Sequence, residues 1–100
     1  MRTMVKFTVP VEAGNKAFRD GTLQETIMGM IDELKPEAAY FFPERGIRTA
    51  MFFIDLKDSS DIPVIAEPLF ERLNASVEFL TVMNADDLKK GFERSGSVES

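Results

Sequence analysis

The chain is 100 residues long, 44% hydrophobic, and carries a formal charge of −5 with neither Cys nor His. That length suits one small domain. The missing residue types exclude disulfides, thiolate nucleophiles, His general bases, Cys/His zinc sites and His-ligated haem. An acidic chain with no basic run argues against nucleic acid as a partner. No apolar run approaches the roughly 20 residues that span a bilayer. No leader pattern opens the sequence, because Lys6 and Thr8 interrupt what would be its apolar segment. The expected setting is cytoplasmic, away from membranes.

Residues 3–12 alternate, with Val5, Phe7 and Val9 on one side and Met4, Lys6 and Thr8 on the other, as a strand does. A helix over about 15–35 follows, begun either at Asn15 or at a Thr22/Glu25 capping box and bent near Gly21. Leu23, Ile27, Met30, Ile31 and Leu34 form its apolar stripe. Pro36 ends it. "AAYFF" and "IRTAMFFIDL" are two strands joined by "PERG", where Gly46 is free to take a positive φ. A second helix starts among Asp58, Ser59, Ser60 and Asp61, with Pro63 at its first position. Pro68 predicts a kink or a restart inside it, before an end near Asn74. Residues 76–83 make a fourth strand. Asn84 or Asp86 then caps a short helix through "DLKKGF", leaving 93–100 as a flexible C-terminal tail beside a single 1–92 domain.

The order βαββαβ predicts a ferredoxin-like α+β fold: a four-stranded antiparallel sheet, order 4-1-3-2, with two helices on one face. Four turn residues leave no room for the helix that a doubly wound sheet would place between strands two and three. Strand three is apolar on both faces, with Ala50, Phe52, Ile54 and Leu56 against Ile47, Met51 and Phe53. Leu80 and Val82 add to the surplus. A face this apolar is expected to be covered, by a second copy in a two-fold dimer or by the chain's own C-terminal segment. The dimer is the simpler solution.

"ELKPEAAYF", "GIRTAMFFIDL", "IAEPLFERLNASVEF" and "VMNADDLKKGF" resemble a family of small uncharacterised bacterial proteins. More broadly, the pattern resembles the dimeric α+β barrel superfamily, which includes antibiotic-biosynthesis-type monooxygenases, muconolactone-isomerase-like proteins, haem-binding members and stress-responsive barrels. The resemblance implies a homodimer that binds a small organic molecule or acts as a cofactor-independent oxygenase or isomerase. The alternative is a non-catalytic interaction or stress-response module. No cofactor is called for.

Lys6 and Glu78 are expected to be neighbours on adjacent strands, as a proton-transfer pair in a pocket or, more plainly, as a cross-strand ion pair. Arg48 and Tyr40, with Glu44 and Arg45 at the hairpin, are expected to frame a cavity mouth that holds a carboxylate or carbonyl group. The plainer reading is a solvated turn, with Arg48 notable as a charge set in an apolar strand. Asp55, Asp58 and Asp61 are spaced i, i+3, i+6, unlike an EF-hand loop, so no metal is expected there.

Overall fold

A computed structural model describes residues 1–96. Strand β1 (Arg2–Val9) leads directly into helix α1 (Val11–Asp20), followed by α2 (Thr22–Leu34), β2 (Ala38–Glu44), β3 (Ile47–Asp55), α3 (Asp61–Leu73), β4 (Ser76–Thr81) and α4 (Ala85–Arg94). The fold is α+β with one antiparallel sheet, ordered β2-β3-β1-β4. Counted from the β4 edge, that order runs 4-1-3-2.

The first helical stretch is two helices, and it starts earlier than Asn15. Pro10 has no N–H to satisfy and its φ of −55° already suits a helix start, so α1 begins at Val11. Gly21 sits at φ 85° and ends α1 while opening α2. With Gly21 in that role, Thr22 is already inside α2 and the expected capping box is not formed. The Asp20 carboxylate accepts a hydrogen bond from the Thr22 N–H at 2.9 Å instead. Helix α3 is continuous through Pro68, without the expected restart. The carbonyl deprived of a donor belongs to Val64, on an exposed turn open to solvent. Asn84 and Asp87 do build a reciprocal capping box, and α4 continues to Arg94. The first residues of the expected tail are therefore helical, while 97–100 lie outside the described residues.

At the hairpin, Arg45 (φ 54°) and Gly46 (φ 79°) both take positive φ, a two-residue turn that suits the strand twist. It fixes Glu44 opposite Ile47, Pro43 opposite Arg48 and Tyr40 opposite Met51. From that register the two sheet faces follow by alternation. One face presents Val5, Phe7, Val9, Ala50, Phe52 and Ile54 to Leu23, Ile65, Leu69 and Leu73 of the helices, forming the core. Phe52 is completely buried, and its ring meets Phe7 and Phe41 edge-on, each at 5.8 Å.

Among the described residues, no helix packs on the opposite face. One apolar row, Ala38–Phe53–Met4–Leu80, crosses all four strands. The next row, Tyr40–Met51–Lys6–Glu78, changes from apolar to charged as it crosses from β2 to β4. The surplus apolar surface is thus concentrated on the β2–β3 hairpin. Tyr40 is 59% exposed and Leu80 52%. Val82 lies just past the end of β4 and does not contribute to that face as a strand residue.

Candidate functional site

Helices α1, α2 and α3 do not reach fully across the inner face of β2. Phe41 points to that side and remains 51% exposed. Between α2 and this uncovered strand is a pocket of about 340 Å³, whose lining includes Phe7, Leu23, Ile27, Phe41, Pro43 and Arg48. Its size falls at the lower end of small-molecule sites, and its wall is apolar and aromatic.

Among the described residues that line the pocket, Arg48 alone is titratable. The β3 register points it to the helix side, beside Val9 and Pro43. There its guanidinium lies against the α1 backbone. It donates a hydrogen bond to Asn15 Oδ1 at 3.2 Å and sits 6.0 Å from the centre of the Phe18 ring. The close approach depends on Gly14, where an added Cβ would lie 2.6 Å from Arg48 Nη1. Asn15, Gly14 and Phe18 were not among the sequence candidates. Nothing in their local pattern marks them, because their role comes from the packing of α1 onto β3.

The remaining candidates are on the other face or in the turn. Tyr40 stacks edge-on against Phe53, 6.4 Å between ring centres, on the helix-free side. Lys6 does stand directly across from Glu78. Its ammonium, however, reaches past β3 to Glu44 of β2 and pairs with Oε1 at 2.9 Å, so the expected Lys6–Glu78 ion pair is replaced by Lys6–Glu44. The physical reason is reach. Glu44 follows Pro43 at the hairpin end and turns back over the open face, where a long ammonium stem can meet it. Arg45 occupies the turn itself and is exposed. The set expected to act together therefore divides, with Arg48 in the pocket and Tyr40, Lys6, Glu44 and Glu78 across the sheet.

Asp55, at the end of β3, and Asp58, just after it, have structural partners. Asp55 accepts from the Lys57 ammonium at 2.6 Å and from the Met1 ammonium at 2.7 Å. These bonds hold its carboxyl down at about 2. Asp58 accepts from the hydroxyl and the backbone N–H of Ser60, which also lowers it. Among the described residues, no three His, Cys, Asp or Glu side chains group as a metal site, and no helix is long and apolar enough to cross a membrane.

Comparison with family models, with curated proteins and with solved structures gives no match for this chain. Any functional reading therefore rests on the residues themselves.

Proposed function

We propose that the protein is a homodimeric, ferredoxin-like α+β barrel that binds a small organic molecule in the pocket between α2 and β2. The observation that carries this reading is the pocket itself: about 340 Å³ of mainly apolar space with one cation in its lining. An ordinary domain core fills such space with side chains. Here Leu23, Ile27 and Phe41 form walls with an opening between them. The half-apolar outer face supports the dimer, since a contiguous apolar band across four strands suits a self-complementary contact.

The reading is of binding first. No carboxylate, amine or phenol lines the pocket to move a proton. Conversion of the oxygenase or isomerase type would use the ligand's own reactivity, with Arg48 stabilising developing negative charge.

An NMR titration with a library of small apolar fragments tests the proposal. Amide shifts are expected at Leu23, Ile27 and Ala50, saturating with ligand. Shifts confined to the outer face around Tyr40 and Leu80, or no saturable shifts, would overturn it.

A second reading, a non-catalytic interaction module, is favoured by α4. None of that helix's residues is buried, and the molecule measures 60 × 29 × 18 Å. Such an arm is suited to gripping another protein.

A further inference from the structure

We infer that the ligand of the α2–β2 pocket is an apolar monocarboxylate whose carboxylate binds Arg48. This rests on the reading of the pocket as a small-molecule site and specifies what enters it.

The charge pattern gives the first argument. Acidic residues outnumber Lys and Arg by 17 to 12. The other cations of the sheet use them. Arg2 binds both Glu37 and Asp87, and Lys6 binds Glu44. Arg48 is half-buried, yet among the described residues no carboxylate lies within ion-pair distance of it. Its partners are a neutral amide oxygen and an aromatic ring. A guanidinium has five N–H donors in a planar fork, and the Asn15 bond uses one. The side chain also lines an apolar cavity, and a planar two-oxygen acceptor is the partner that best fits the donors left over.

Placement gives the second. Gly14 lets the guanidinium lie on the helix, since any side chain there would meet Nη1 at its first carbon. The cation is therefore held against α1 by a side chain that lines the apolar pocket. That geometry suits a molecule with one charged end and a hydrocarbon or aromatic body. A volume of about 340 Å³ is roughly eleven water volumes, which sizes the ligand at about a dozen non-hydrogen atoms. A single Arg in an acidic protein also favours a monoanion over a phosphate dianion.

Matched acid and amide pairs test the inference, because the amide keeps the shape but removes the charge and one of the two acceptor oxygens. With 4-phenylbutyrate against 4-phenylbutyramide, and octanoate against octanamide, the acid is expected to bind at least about tenfold more tightly. Raising salt to about 0.5 M should weaken the acid and leave the amide unchanged. Arg48→Met should bring acid and amide to equal affinity while the amide's own affinity stays within about twofold of wild type. Gly14→Ala keeps every charge and favours the helix, so it serves if Arg48→Met does not fold. It should weaken the acid alone. Inorganic phosphate should not compete.

Equal affinity for acid and amide in the wild-type protein, each with shifts at Leu23 and Ile27, would overturn this inference and leave the small-molecule reading standing. Failure of every pair member to bind in the pocket would overturn both.

Discussion

Asp55 is an exposed carboxylate with two ammonium neighbours, first Lys57 and then the Met1 amine, and they hold its pKa at about 2 against an ordinary 3.8. A carboxyl whose folded pKa is depressed stabilises the fold above its unfolded value, and the contribution is lost as pH falls through the folded one. Asp20 and Asp58 are lowered too, by hydrogen bonds from Thr22 and Ser60, so their effect has the same sign. Stability should therefore drop between about pH 4 and pH 2. Carboxyl-carbon NMR should give Asp55 a midpoint near 2, and Lys57→Ala should raise it. A wild-type midpoint near 3.8 would remove Lys57 as its partner. Arg48 shows what at this scale could be read from the sequence. A two-residue turn at 45–46 places 43 opposite 48 and 40 opposite 51, so strand parity already separates Tyr40 from Arg48. The grouping of those two at one cavity mouth was excluded by the sequence's own register. The Gly14–Arg48 approach was not legible, because no pattern within α1 says which strand residue will lie on it.

The elements themselves were largely readable where one signal dominated. Alternation in β1, the positive-φ glycine of the hairpin and the Asn84 cap all lead to the observed structure. The misread points are places where backbone conformation replaced a side-chain signal. Gly21 took over the start of α2 from Thr22, and Pro10 took over the start of α1 from Asn15. Helix α4 is the most informative element, because it is ten residues long and none of them is buried. An isolated helix of that length is marginal in water, so it depends on its cap. The Asn84 side chain accepts from the Asp87 N–H at 2.8 Å, and Asp87 accepts from the Asn84 N–H at 3.1 Å. Asp87 also binds Arg2, tying the helix start to the sheet. Asn84→Ala should cost about 1 kcal/mol locally, which speeds amide exchange across α4 about fivefold. Exchange in β1 and β3 should not change. If α4 exchange is unaltered, tertiary or intersubunit packing holds the helix in place of its cap.

At the scale of the whole molecule, the radius of gyration is 16.4 Å, where a compact 100-residue domain has about 13 Å. Helix α4, with no buried residue, and the sheet face without a helix are two separate places of incomplete burial. A four-stranded antiparallel sheet was legible from element order, since a βαββαβ chain with a tight central hairpin has few ways to close a sheet. The distribution of apolar surface on the bare face required the register: it lies on β2–β3 and along one row to Leu80, while Lys6 and Glu78 keep the β1–β4 side polar. A two-fold contact through that face would bring the apolar hairpin halves together and leave the polar halves at the rim, the usual anatomy of an interface. Tyr40 is 59% exposed within one protomer, so replacing it costs the monomer little. In a two-fold dimer the substitution acts twice. Tyr40→Asp should bury two unpaired carboxylates and raise the dimer dissociation constant at least about hundredfold, close to 2.8 kcal/mol. Light scattering at about 10 µM should give twice the 11.3 kDa chain mass for wild type, since association is governed by mass action. The variant should run at the single-chain mass with an unchanged fold. A wild-type mass of one chain would show the face open in solution, and an undisturbed Tyr40→Asp dimer would place the contact elsewhere, with α4 the next surface to substitute.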